Sequence, residues 1–251
     1  MKILVSAKRV TDPDMKIKVK TDGSGIELGS INFKLNPFDE IAIEEGLRIK
    51  EAIGGEVVVV TIANEEAQVD IKGALAMGAD RGILILVEED VDSDAVARIL
   101  VNMIKREKPD IVLMGKQAVD VDDGQVPQLL AEYLNWGQAC FASKIEIQER
   151  TARVHREVDG GHEVVEIDLP GIISTDLRLN EPRYPLLPDV LRADQMEVEK
   201  ITPFDLGVDI KPKVLVKNLS NPPKRKGGHI VDNVQELISV LHKEGFLSLN
   251  E

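Results

Sequence analysis

Short, wholly apolar runs alternate along the chain with longer stretches whose apolar residues recur at helical spacing. The first run covers residues 2–7. Asn36, Pro37, Phe38, Asp39 and Glu40 then open a stretch in which Ile41, Ile43, Leu47 and Ile49 line one side. Pro37 suits the first helical position, and Asn36 can cap the free N–H groups. Acids come early in this stretch, and Arg48 and Lys50 come late, which complements a helix dipole. The cycle repeats, with strands at 56–62, 81–87 and 110–114 and helices at 65–77, 93–106 and 125–134. Strands that are apolar throughout and alternate with helices predict a parallel sheet covered on both faces. The expected fold is α/β, a doubly wound and mostly parallel sheet over residues 1–190.

Three segments depart from this rhythm. Residues 15–20 alternate, and Asp22, Gly23, Ser24 and Gly25 supply a turn, which predicts a small hairpin. Residues 143–174 carry short alternating segments at 144–148, 153–158 and 163–168, an antiparallel meander attached to the sheet. From 177 to about 223 the rhythm is lost among frequent prolines, and extended chain is expected. A final amphipathic helix is predicted at 231–242, after Gly227 and Gly228. Residues 191–251 therefore read as a C-terminal arm.

Composition narrows the class. The 251 residues carry a net charge of -13, with 43% hydrophobic and 30% charged residues, as in an ordinary globular protein. Such acidity argues against nucleic acid as a polymer partner. The basic triplet Lys224, Arg225 and Lys226 reads as a solvated loop. A single cysteine, Cys140, makes no internal disulfide and fits a reducing compartment. The first apolar run is too short for a signal h-region, and no stretch reaches the ~20 apolar residues of a membrane span. A cytoplasmic chain without membrane insertion is expected.

No catalytic set emerges. The four histidines are scattered without metal-ligand spacing, and no nucleophile elbow, Walker loop or dinucleotide fingerprint is present. No catalytic residue and no metal site is expected, which favours a binding protein. Open α/β sheets bind ligands beyond the carboxyl ends of their strands. Those ends (Ser6 and Ala7; Ile62, Ala63 and Asn64; Gly115, Lys116 and Gln117) should converge on one crevice with Asn36, Pro37, Phe38 and Asp39. The polar loop from Gly115 to Gln125 runs into a helix N-terminus, where N–H groups hold phosphate. Asp120, Asp122 and Asp123 oppose a phosphate, so they cap the helix, accept from ribose hydroxyls, point away or hold a cation. Leu186 and Leu187 lie on a proline-stiffened segment, either exposed as an anchor for another protein or packed back on the domain.

Several stretches, in order, resemble the β (small) subunit of electron transfer flavoprotein. They are Val5 to Val10, Asn36 to Ala42, Ala74 to Arg81, Gly115 to Ala118, Arg156 to Gly161 and Thr175 to Tyr184. The resemblance spans nearly the whole chain. It implies a fold like that of adenine nucleotide α-hydrolases and a heterodimer with an α subunit. That subunit holds most of one FAD, the residues 191–251 pack on it, and the β subunit binds a structural AMP. The complex takes electrons from acyl-CoA-type dehydrogenases and passes them to a quinone oxidoreductase or another acceptor. Carried over by position, the AMP site comprises Ser6, Asn36, Pro37, Phe38, Asp39, Ala63, Asp120, Val121, Asp122, Asp123, Gly124, Gln125, Val126, Pro127, Gln128, Leu129, Leu130 and Ala131.

By the same resemblance, Phe38 lies near the flavin. Many members carry a nearby Tyr where this chain has Pro13. Leu187 matches the leucine anchor of a partner-recognition segment around Arg183, Tyr184, Leu186, Pro188 and Val190. Glu157 matches an acid that influences the swing of the flavin domain. Where many members are lysine-rich, this chain reads Leu191, Arg192, Ala193, Asp194 and Gln195. A bifurcating branch of the family binds a second FAD in place of AMP and uses NADH; this chain shares only part of that branch's loop. A free-standing adenine-nucleotide-binding module of the same fold class is the further alternative.

Overall fold

The computed structural model describes residues 1–29, 31–225 and 227–247. In chain order the strands are β1 (Lys2–Ser6), β2 (Arg9–Thr11), β3 (Phe33–Leu35), β4 (Glu56–Ala63), β5 (Arg81–Leu86), β6 (Ile111–Gly115), β7 (Gly137–Gln148), β8 (Thr151–Val158), β9 (Gly161–Asp168), β10 (Gly171–Thr175) and β11 (Val198–Ile201). The helices are α1 (Pro37–Ile53), α2 (Gln68–Met77), α3 (Ser93–Glu107), α4 (Val126–Leu134), α5 (Leu187–Gln195) and α6 (Val234–Lys243). A 3-10 turn, Glu65–Ala67, leads into α2.

Nine strands form one sheet in the order β11-β5-β4-β1-β6-β10-β7-β8-β9. Every neighbouring pair from β11 to β7 is parallel; β8 and β9 extend the far side as an antiparallel meander. The two-residue period of a strand then sorts the apolar side chains. Ile3, Val5, Val57 and Val59 join one core with residues of α1 and α2, while Leu4, Val58 and Val60 join a second core with residues of α3 and α4. Both faces are covered, so the valine run of β4 is apolar without alternation. The chain goes from β1 to β4 and β5 on one side, then crosses to β6 on the other. That reversal opens a crevice between the carboxyl ends of β1 and β6.

The structure differs from the sequence pattern in four places. Residues 15–29 form no hairpin beyond a bridge between Val19 and Ile26; the small antiparallel ribbon is β2 with β3. The meander begins earlier, because β7 starts at Gly137 and is parallel to a separate strand, β10, before it pairs with β8. Gly137 and Gly171 make room there, since a Cβ at either would press on Ile167 at 3.2 and 2.9 Å. The stretch after residue 177 contains α5 and β11 rather than extended chain alone, and β11 joins the main sheet beyond residue 190. The last helix begins at Val234, where the Asn233 side chain accepts from the Glu236 N–H at 2.9 Å. Lys224 and Arg225 lie exposed in irregular chain; Lys226 is outside the described residues.

Candidate functional site

At the crevice, β1 hands over to Ala7 and Lys8, β6 to Gly115 and Lys116, and α1 begins between them. Asn36 is expected to cap α1, but its side chain makes no cap bond. Its amide instead donates to Gln117 O at 2.9 Å and accepts from Val119 N–H at 3.2 Å. Asn36 thereby staples the loop after β6, at 1% exposure.

Asp39 spans the reversal itself. One carboxylate oxygen accepts from Lys8 N–H at 2.8 Å, the other from Gly115 N–H at 2.7 Å. Burial pushes its carboxyl up to about 6; the two backbone donors and Asn36 oppose that rise without cancelling it. The close approach requires glycine at 115, because a Cβ there would meet Asp39 Oδ1 at 2.5 Å and Phe38 Cβ at 2.6 Å.

The loop from Lys116 to Gln125 closes the crevice. Asp122 and Gly124 take left-handed φ values of 58° and 59°, which turn the chain into α4. Among the described residues no side chain caps that helix start. The three loop acids each have a different partner: Asp120 pairs with Lys8 at 2.8 Å, Asp122 accepts from Gln117, and Asp123 accepts from Ser93 Oγ at 2.9 Å. Each acid is therefore tied within the chain, but only Asp120 is offset by a cation; Asp122 and Asp123 accept from neutral groups and keep their charge. No group of three acids, histidines or cysteines among the described residues is arranged to hold a metal.

Of the residues singled out for this site, Ser6, Ala7, Asn36, Asp39, Ile62, Gly115, Lys116, Gln117, Val121, Asp123, Gly124, Gln125, Val126 and Pro127 line the crevice, and Asn64 does not. Pro37 and Phe38 stand behind Asp39 in the first turn of α1, and Phe38 is buried. Asp120 and Asp122 sit in the loop but outside the lining, as does Ala63 at the end of β4. Gln128, Leu129, Leu130 and Ala131 continue α4 away from the lining, with Leu130 and Ala131 in the core. Sequence reasoning missed Lys8, Val91, Ser93, Val96 and Met114. The strand-end rule would have found the middle three had the carboxyl end of β5 been counted.

Beside the crevice, Lys116 pairs with Asp176 at 2.7 Å and lies over the rings of Phe38 and Phe141, at 5.2 and 5.6 Å. Pro13 is exposed in the chain between β2 and β3. Glu157 accepts from Arg178 at 2.5 Å and lies 3.0 Å from His162 Nδ1.

The proline-rich stretch forms the other candidate surface. Tyr184 is 90% exposed, Leu186 68% and Leu187 72%. Leu187 opens α5, with Pro188 in its first turn, and Val190 is exposed farther along. Arg183 turns inward instead. Its guanidinium forks onto Glu44, with Nε at 2.8 Å and Nη2 at 3.1 Å, and reaches Glu51 at 2.5 Å. Burial raises the Glu44 carboxyl, yet the bonds from Arg183 and Arg48 outweigh it and hold the group below the usual range.

Comparison with known proteins shows the family. The family model described as "Electron transfer flavoprotein domain" matches residues 26–206. An electron transfer flavoprotein subunit beta of Bradyrhizobium diazoefficiens is 48% identical over 97% of this chain and 98% of its own length. The subunit beta of Homo sapiens is 41% identical over 98% of each chain. One of Oryza sativa subsp. indica, named mitochondrial, is 46% identical over 97% of this chain and 98% of its own. No helix among the described residues is long and apolar enough to cross a membrane. With the α/β sheet and a match of this extent, the chain belongs to the electron transfer flavoprotein family, as one of its beta subunits.

Proposed function

We propose that this chain works as one half of a heterodimeric electron carrier, with AMP seated in the crevice between β1 and β6. The observation that carries the AMP reading is the meeting of strand ends with an uncapped helix start, behind a loop in which Lys8 pairs with Asp120. A phosphate at the α4 N-terminus would take its free N–H groups and dipole. The small apolar lining of Ile62, Val91 and Val96 suits a base. Asn36 and Asp39 have their polar atoms engaged with backbone, so they shape the site rather than bind in it.

The flavin, an FAD held mainly by the α subunit, supplies electron storage with release one electron at a time. This chain's contribution is an edge of the flavin pocket around Phe38, with Lys116 above the ring. The chain after β11, including α6, packs on the α subunit; α6 buries none of its residues within this chain. The exposed apolar face of α5, anchored by Leu187, docks acyl-CoA-type dehydrogenases, and a quinone oxidoreductase or another acceptor takes the electrons onward. Glu157 contacts the flavin domain as it swings. The single buried cysteine supports a reducing, cytoplasmic setting.

Co-expression with the α subunit, followed by extraction of the bound nucleotides, tests this reading. One FAD and one AMP per heterodimer are expected. Two FAD would assign the NADH-using bifurcating branch instead, and a stable flavin-free monomer that binds adenine nucleotide would assign a free-standing module.

A further inference from the structure

Helix α5 is attached mainly through polar ties. Only Ala193 of its nine residues is buried. A helix this short does not hold itself in water, and one buried methyl adds little. Polar ties do the holding. The Lys72 ammonium, on α2, donates to Ala193 O and Asp194 O, each at 3.0 Å, and to Met196 O. The last carbonyls of a helix have no partner within it, and an ammonium has three N–H donors. Three donors thus meet three acceptors, and a positive charge sits at the negative end of the helix dipole. Arg192 adds a bond from its guanidinium to Leu75 O at 3.4 Å. Ahead of the helix, Arg183 is clamped to Glu44 and Glu51 on α1.

These ties leave the opposite side of α5 free. Leu187 and Leu191 are 72% and 61% exposed, because the helix is fixed through its backbone rather than through its apolar side chains. We propose that Lys72 is a positioning residue for partner docking: by capping the C-terminus of α5 it holds the apolar face of that helix preformed for the electron donor. The proposal rests on the docking role given above to Leu187. A preformed face saves the ordering cost on association, so the clamp acts on affinity and not on electron transfer within the complex.

The test uses the assembled heterodimer with an acyl-CoA dehydrogenase reduced by its acyl-CoA substrate. Lys72→Met removes the charge and keeps the length of the side chain. It should raise KM for the carrier about fivefold, the scale of a lost helix-terminal charge, with kcat changed less than twofold. Amide hydrogen exchange over residues 187–196 should quicken. Lys72→Arg, which restores charge and donors, should return KM to within twofold. Leu187→Ala serves as the reference. If Leu187→Ala raises KM and Lys72→Met does not, or if Lys72→Arg fails to rescue, the clamp is overturned. If Leu187→Ala leaves KM unchanged, the docking reading itself fails, and the functional half of this inference falls with it.

Discussion

Asp39 concentrates the local physics of the crevice. Its two oxygens tie the chain after β1 to the end of β6, and they do so from a position only 5% exposed. A carboxyl pushed up to about 6 binds its proton more tightly in the folded chain than in the unfolded one. Its stabilising contribution is therefore complete below the ordinary carboxylate range and is lost as pH rises through about 6. The difference amounts to about 3 kcal/mol as an upper figure for a group this buried. Asp39→Asn abolishes the titration while keeping one acceptor. The gap in thermal midpoint, wild type minus Asp39→Asn, should shrink between about pH 4 and pH 7. Parallel curves would show that Asp39 does not titrate in this window. None of this was legible in the sequence, where Asp39 read as a ligand contact; its partners are backbone amides brought in by the fold.

At the scale of elements, α5 shows what periodicity can and cannot reveal. The parallel strands were legible because burial on both faces makes them apolar runs, and α1 to α4 because each buries a stripe. Helix α5 buries only Ala193, so its apolar residues mark an outer face and left no inward period to read. The prolines of this stretch read as extended chain in the sequence, yet one of them, Pro188, is a helix starter. β11 is hidden for a related reason: as an edge strand it has one buried residue, Val198, and reads Val-Glu-Lys-Ile. β10 was absorbed into the neighbouring meander because only the fold shows it returning parallel to β6. An outward apolar face is an interface in waiting. Leu187→Ala should cut kcat/KM for the dehydrogenase about tenfold or more, as for a central hot-spot residue, with FAD and AMP contents unchanged. An unchanged rate in stopped-flow assays would remove Leu187 as the anchor.

Taken whole, the molecule divides its tasks between a closed sheet core and surfaces that need a partner. Val214, Leu215 and Val216 are 70%, 73% and 79% exposed, and Phe246 is 77% exposed. Soluble monomers rarely leave so much apolar surface uncovered. The net charge of -13 acts on partners at long range, while at the crevice the acids are held locally, Asp120 by Lys8 and Asp123 by Ser93. On the reading proposed above, this crevice holds AMP independently of the flavin. Gly124 tests it most directly, because its φ of 59° turns the loop into α4 and a β-branched residue strains that backbone. In a heterodimer carrying Gly124→Val, nucleotide extraction should return one FAD and little or no AMP. Retention of AMP at one per heterodimer, or loss of FAD in step with AMP, would overturn that reading.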